Sequence, residues 1–210
     1  MQIKRSLFAM AALAMLAGAA FAAEKKEAPK KPEATTLENL QTAYNGESNA
    51  KAKYDAYAVK ADAEGYLGVA GLFRAASLSE SIHAAKHAKA IEALGGVPKA
   101  DVKAPEVKTT AENIKDAIKG ELYESKKMYP AFLKKAEADK NTMAMYSFKG
   151  ALAAEKMHAM YYSKALANLK DWKAKKKFLV CQVCGYTTMD MTMKVCPVCS
   201  SPREKFTEVE

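Results

Sequence analysis

Two matched dyads constrain this chain more than any other feature: Glu80 and His83, within FRAASLSESIHA, recur seventy-five residues later as Glu155 and His158, within FKGALAAEKMHA. Phe73 matches Phe148 and Ala76 matches Ala151 in the same segments. The stretch ahead of each dyad repeats as well, TTLENLQTAYNGE from Thr35 to Glu47 against TTAENIKDAIKGE from Thr109 to Glu121. The repeating unit is therefore a pair of helices whose first member carries a further glutamate. Two such units facing each other would surround a pair of metal ions.

Each unit opens with a capping box, Thr35 with Glu38 and Thr109 with Glu112, in which side chains satisfy the free backbone donors of a first helical turn. From there Leu37, Leu40, Tyr44, Glu47, Ala50, Tyr54 and Tyr57 advance by threes and fours, the step that keeps side chains on one helix face. A second helix is expected from about Tyr66 to Leu94 through Val69, Phe73, Ala76, Glu80, His83, His87 and Ala90, and Gly95-Gly96-Val97-Pro98 ends it. The third stripe is Ile114, Ala117, Glu121, Glu124, Met128 and Ala131, and the fourth is Phe148, Leu152, Glu155, His158, Tyr162, Ala165 and Leu169.

The connection from Gly95 to Lys108 has 14 residues. Extended, it reaches ~45 Å, against ~43 Å for the second helix at ~1.5 Å per residue. It can run the length of the bundle, whereas the other connections are short. The expected architecture over residues 35–172 is an all-α four-helix bundle, two antiparallel hairpins joined by one long crossover, which is the ferritin-like arrangement. Pro130 removes a backbone hydrogen bond and predicts a bend in the third helix close to the metal.

Residues three apart on a helix share a face, so Glu80/His83, Glu121/Glu124 and Glu155/His158 each direct two ligands inward, and Glu47 adds a seventh. All seven fall at about the same height, because Glu47 and Glu121 lie equally far into their helices and both dyads lie near mid-helix. Five carboxylates in an apolar core repel one another and each costs several kcal/mol to desolvate. Two irons offset that charge, and carboxylate with imidazole supplies the mixed oxygen and nitrogen field such ions accept. The repeats differ at one place: the second has Glu124 where the first has Ala50. The two metals are therefore expected to be inequivalent, one of them with a choice between Glu124 and His83. His87 has no counterpart in the other repeat and is left outside the ligand set.

All four cysteines lie in the last 30 residues, as Cys181-Gln182-Val183-Cys184 and Cys196-Pro197-Val198-Cys199. In an exported chain such cysteines can pair as disulfides, but two CxxC knuckles at this spacing point to a tetrahedral thiolate metal site. Residues 178–210 are too few to fold around their own core, and a bound metal supplies the missing stability. Ligand type leaves iron and zinc both open.

At the other end, Lys4 and Arg5 precede an apolar run from Leu7 to Ala20 and the small-x-small sequence Ala20-Phe21-Ala22, which reads as a cleaved export signal over residues 1–22. Residues 23–34 mix Lys, Glu, Pro and Ala without periodicity and are expected to be a disordered spacer. No other segment approaches the ~20 apolar residues needed to cross a bilayer, so no membrane association is expected once the signal is removed. The formal net charge of +9 is mostly lysine without interleaved aromatics, which argues for solvated helix faces and against nucleic-acid binding.

On the motifs GES, SIH after Glu80, GELYE, MYPAF and EKMH, then CQVCGY and CPVCSSPREKF, the chain resembles the rubrerythrins, a di-iron bundle followed by a rubredoxin-like iron domain. The resemblance implies that Glu80 and Glu155 bridge two irons, that Glu47 with either Glu124 or His83 holds one, and that Glu121 with His158 holds the other. Cys181, Cys184, Cys196 and Cys199 would hold a third iron. Tyr54 and Tyr129 match tyrosines that lie just behind the ligands in that family. The implied activity is reduction of hydrogen peroxide to water in oxidative-stress defence, with Glu124 as a proton carrier and electrons entering from an unidentified donor through the thiolate iron. A homodimer is implied too, since electrons in the family commonly cross between subunits, and the leader sets the expectation of an exported protein in a bacterial periplasm. The competing expectation is a ferritin-like protein that oxidises and stores iron. Ser200 departs from the family's usual glycine after the last cysteine, where the backbone often takes positive φ at a cost of ~1 kcal/mol to other residues.

Overall fold

The structure, a computed structural model, describes residues 34–210. The expected signal and all but the last residue of the spacer lie outside the described residues. Five α-helices follow one another: α1 (Thr36–Ala63), α2 (Leu67–Ala93), α3 (Thr110–Tyr123), α4 (Tyr129–Ala138) and α5 (Thr142–Ala167). Both capping boxes form, with the Thr35 amide donating to Glu38 at 2.7 Å and the Thr109 amide to Glu112 at 3.2 Å. The hairpin turns are equivalent in the two repeats, residues 64–66 and 139–141, and the middle residue of each has positive φ, 76° at Gly65 and 53° at Lys140. Among the described residues, no helix is long and apolar enough to cross a membrane.

The third bundle helix is not continuous. Residues Glu124–Met128 form a π-helical turn between α3 and α4, and the Tyr129 amide donates to the Glu124 carbonyl. The bend expected at Pro130 is thus met by a wider turn just before it, which leaves Pro130 in the first turn of α4, where a missing N–H costs little.

The crossover from Gly95 to Lys108 runs along α1, held by a row of amide side chains one turn apart. Gln41 donates to the Val97 carbonyl (2.7 Å), Asn45 accepts from the Asp101 amide (2.8 Å), and Asn49 accepts from the Lys103 amide (2.9 Å) while donating to the Asp101 carbonyl (3.1 Å). These side chains replace the ladder that an isolated extended strand lacks.

Along every bundle helix the buried apolar residues fall into two groups with a polar waist between them. One group holds Tyr54, Phe73, Ile114 and Tyr162, the other Leu40, Ile91, Tyr129 and Phe148.

After α5 the chain makes a short 3₁₀ turn at Leu169–Trp172 and enters a three-stranded antiparallel sheet: β1 (Phe178–Cys181), β2 (Thr187–Thr188) and β3 (Phe206–Val209), in the order β2-β1-β3. All four residues of β1 are buried because the strand has an apolar neighbour on each face. Phe178 and Val180 join the bundle core, where Phe178 meets Tyr161 edge-on at 6.0 Å, while Leu179 and Cys181 face the knuckle core with Phe206. Small residues of α2 and α5 make this close seat possible. A Cβ on Gly71 would come within 2.8 Å of the Glu210 backbone, and one on Gly150 within 3.0 Å of the Cys184 carbonyl.

Candidate metal centres

Six of the seven expected bundle ligands meet at the waist, all of them buried: Glu47 from α1, Glu80 and His83 from α2, Glu121 from α3, and Glu155 and His158 from α5. They form two overlapping groups, Glu47, Glu80, His83 and Glu155, and Glu80, Glu121, Glu155 and His158; within each, one ligand atom per residue lies within 4.8 Å of the others. Glu80 and Glu155 belong to both, which is the position of a bridging carboxylate. Each histidine turns Nδ1 into its cluster: His83 Nδ1 lies 2.9 Å from Glu80 and 3.1 Å from Glu155, and His158 Nδ1 lies 2.8 Å from Glu155 and 3.4 Å from Glu80.

One carboxylate oxygen from each of Glu47, Glu80, Glu121 and Glu155 is buried without a hydrogen-bond partner. Buried acceptors left unsatisfied in this way are costly, and four converging on one place, with two imidazole nitrogens beside them, fit a pair of cations. With no cation among them, burial and the repulsion of Glu80 and Glu121 push Glu155 well above the usual carboxylate range. At His158 burial opposes protonation, but the surrounding carboxylates outweigh it and raise the imidazole, and the same balance raises His83. A bound dication reverses this logic, since it favours ionised carboxylates and neutral imidazoles.

Glu124 is the seventh expected ligand, and it stands apart from both groups. It is half-buried, lines a cavity of about 270 Å³ with Tyr54, Lys53 and Gly120, and turns towards Gly46, where an added Cβ would lie 3.8 Å from its Oε1. His83 takes its side of the site. Burial, then the charges of Glu47 and Glu121, push the Glu124 carboxyl well up, so an outward position relieves a fifth negative charge at the waist.

Both tyrosines singled out by sequence reach across the repeat boundary. Tyr54 donates to Glu121 at 2.5 Å, and Tyr129 donates to Glu47. Each repeat's tyrosine thus orients the other repeat's terminal glutamate. His87, left outside the ligand set, bonds Tyr129 through Nε2 (3.1 Å) and Ser147 through Nδ1 (2.7 Å), so it anchors the tyrosine that anchors Glu47.

The four cysteines are free thiols brought together by the two knuckles, with Cys181 and Cys199 sulfurs 3.6 Å apart and Cys184 and Cys196 sulfurs 3.5 Å apart. Tetrahedral ligation at ~2.3 Å metal–sulfur bonds gives sulfur edges of ~3.8 Å, close to these separations. The knuckles are internally alike. The Gly185 amide donates to the Cys181 carbonyl at 2.8 Å and the Ser200 amide to the Cys196 carbonyl at 2.9 Å, with φ of 80° and 59°. Ser200 therefore holds the left-handed conformation expected of it.

Two family models cover these regions: Rubrerythrin over residues 38–166, and the rubrerythrin rubredoxin-like domain over residues 180–207. The chain belongs to the rubrerythrin family. It is 38% identical to nigerythrin of Nitratidesulfovibrio vulgaris, over 82% of this chain and 86% of that protein, and 35% identical to rubrerythrin-2 of Clostridium acetobutylicum, over 82% and 96%. A solved structure of fully reduced, all-ferrous nigerythrin superposes with a TM-score of 0.78 at 37% identity, covering 85% of this chain and 89% of that one. A bacterioferritin from Mycobacterium tuberculosis matches at a TM-score of 0.60 and 20% identity, a likeness of fold alone. As a member of the rubrerythrin family, the chain carries a di-iron carboxylate site in its ferritin-like bundle and a rubredoxin-like four-cysteine site after it.

The seat between the two sites was missed in the sequence. The Gly185 carbonyl, next to Cys184, accepts from Ser79 of α2 at 2.7 Å and from Thr187 at 3.1 Å. Ser79 and Thr187 in turn approach the Nε2 atoms of His83 (3.5 Å) and His158 (3.1 Å). The available signal was the run of small residues Gly68, Gly71, Ala75 and Ser79 down one face of α2.

Proposed function

We propose that this chain is a non-haem peroxidase that reduces hydrogen peroxide to water with electrons relayed through its rubredoxin-like centre. The observation that carries the reading is the seating of the four-cysteine module directly on the histidines of the di-iron waist, an arrangement that iron storage does not require. Held by these residues, an iron pair would supply the two electrons that peroxide reduction takes up, two protons completing two waters.

The chain's own residues do the rest. Glu47, Glu80, Glu121 and Glu155 with His83 and His158 hold the pair. Tyr54 and Tyr129 fix the orientation of Glu121 and Glu47. The aromatic layers above and below, Phe73 and Tyr162 on one side and Phe148 on the other, exclude bulk water. Glu124, whose raised carboxyl keeps a proton at higher pH than an ordinary glutamate, sits at the edge of the waist on a cavity open to solvent, and carries protons inward.

The physiological donor is an external one-electron reductant, and the leader supports export to a bacterial periplasm. We further infer a homodimer, as the family resemblance implies. Electrons in the family commonly cross between subunits, and the seating of the thiolate site on its own chain's bundle supports a route within the chain as well. The test is single-turnover mixing of iron-loaded, reduced protein with hydrogen peroxide or dioxygen. Faster oxidation by peroxide is expected, and oxidation by dioxygen at an equal or higher rate favours iron oxidation and storage.

A further inference from the structure

The Gly185 carbonyl is the meeting point of two hydrogen-bonded arms. One runs through the Ser79 hydroxyl (2.7 Å) to His83 Nε2 (3.5 Å), the other through the Thr187 hydroxyl (3.1 Å) to His158 Nε2 (3.1 Å). All the side chains in both arms are buried. Each hydroxyl has one hydrogen, and each gives it to the carbonyl. What remains toward the histidine is an oxygen lone pair, which only an Nε2–H can meet. The arms therefore select the tautomer that leaves Nδ1 unprotonated, and Nδ1 is the atom each histidine turns into the carboxylate cluster.

The approach is close enough to exclude a side chain. A Cβ on Gly185 would fall 2.2 Å from His83 Nε2 and 2.9 Å from Ser79 Oγ. The covalent path from the Cys184 sulfur to this carbonyl crosses one residue boundary.

We propose that Ser79 and Thr187 are positioning residues that join the thiolate centre to both histidines of the di-iron site through the single carbonyl of Gly185, setting the ligating tautomer and providing a branched electron route within one chain. This rests on the peroxidase reading only for the direction of electron flow. Each passage oxidises the thiolate iron from ferrous to ferric and reduces one waist iron from ferric to ferrous, with no proton or ligand leaving the bridge. Two passages restore the pair, the thiolate iron being re-reduced in between by an external one-electron reductant, dithionite in the assay. Outer hydrogen bonds of this kind fix ligand orientation and are worth about 10- to 100-fold in metal affinity or activity.

The test uses the full iron-binding chain with Thr187→Val, Thr187→Ser, Ser79→Ala and Gly185→Ala. Ferrous binding at the waist is titrated first, a measurement that needs no peroxide and so separates this proposal from the peroxidase reading. Reduced, iron-loaded protein is then mixed with one equivalent of peroxide, or of dioxygen if peroxide proves inert, and the ferric thiolate absorption is followed as its electron leaves. Thr187→Val and Ser79→Ala are expected to lower waist affinity about 10- to 100-fold and to slow the thiolate phase by about tenfold or more, with the thiolate spectrum unchanged. Thr187→Ser, which keeps the hydroxyl, is expected to restore both. Wild-type affinity and rate in Thr187→Val and Ser79→Ala would overturn the proposal. So would failure of Thr187→Ser to rescue, or a thiolate spectrum in Thr187→Val displaced as far as in Gly185→Ala, since the loss would then belong to an unseated module.

Discussion

Gly185 and Ser200 hold equivalent places after the second cysteine of each knuckle, and the pair allows backbone strain to be separated from the cost of unseating the module. At Ser200, φ of 59° puts an ordinary residue in the left-handed region, so Ser200→Gly should stabilise by about 1 kcal/mol, which for a chain of this size raises Tm by about 2–4 °C. Gly185→Ala incurs the mirror-image strain at φ of 80°, about 1–2 kcal/mol. It also places a methyl 2.2 Å from a ring nitrogen of His83 and 2.7 Å from its Cδ2. That imidazole cannot retreat, because its other edge is held by Glu80 at 2.9 Å and Glu155 at 3.1 Å. The knuckle must lift instead, losing the Ser79–Gly185 and Thr187–His158 hydrogen bonds at about 1 kcal/mol each. The total is roughly 3–4 kcal/mol, or a fall in Tm of about 6–16 °C. Thermal unfolding of both variants, metal-loaded and followed by far-ultraviolet circular dichroism, gives the comparison. A loss in Gly185→Ala no larger than the gain in Ser200→Gly would show that only strain is at stake and that the module does not sit against His83.

Glu155 belongs to both ligand groups, so Glu155→Gln should weaken iron binding at the waist by more than the ~100-fold of an outer-shell change while the four-cysteine site still fills, measured by metal analysis and the visible thiolate spectrum. Metal-free protein should lose stability as pH rises. Glu155, Glu124, His83 and His158 all have folded pKa values above their unfolded ones, so the native state binds more protons and its advantage, complete below the carboxylate range, fades as pH climbs through the raised values. Three groups act in the opposite sense across this range: Glu80, where burial is outweighed by His158 and His83 together, His87, which burial holds below the usual imidazole range, and the Cys181 thiol, lowered to about 5 by its bond with Cys184. The four raised groups outnumber them. Melting near pH 5 and near pH 8 should show a higher Tm at the lower pH without metal and a smaller difference with iron, and the reverse order would refute the electrostatic account. Asn49→Ala removes both hydrogen bonds that Asn49 makes to the crossover, about 1 kcal/mol of local stability each. Limited proteolysis should then cut between residues 97 and 107 faster than in the parent chain.

The duplication made most of this architecture legible, because each repeat must bury the same dyad at the same height and only a facing pair of hairpins does so. The ligand residues were legible for the same reason: carboxylates recurring on otherwise apolar stripes have no other use in a core. Between Glu124 and His83 the sequence left the choice open, since a helical stripe says which face a residue occupies but not which of two candidates stands nearer the waist, and the structure brings His83 into the group. The seat of the four-cysteine module was also hidden, because Ser79, Thr187 and Gly185 lie on segments that spacing alone does not bring together.

The π turn, by contrast, was written in the chain. Thr35 pairs with Thr109 and Glu47 with Glu121 at an offset of seventy-four residues, whereas Tyr54 pairs with Tyr129, Glu80 with Glu155 and His83 with His158 at seventy-five. One residue has therefore been gained between Glu121 and Tyr129. A helix that takes up one extra residue must either rotate everything beyond it by about 100° or widen a single turn. Rotation would carry Tyr129 away from Glu47. The structure widens the turn at Glu124–Met128, and Tyr129 still donates to Glu47 as Tyr54 donates to Glu121. The inserted residue lies within the only stretch where the repeats break symmetry at the metal site, beginning at the one glutamate that has no partner in the first repeat. Deleting one residue from Ser125–Met128 should restore a regular helix and the seventy-four-residue offset throughout, and because the widened turn had already absorbed the extra residue, α4 should keep its register against α5; a variant whose thermal unfolding shows α4 no longer packed would refute this account.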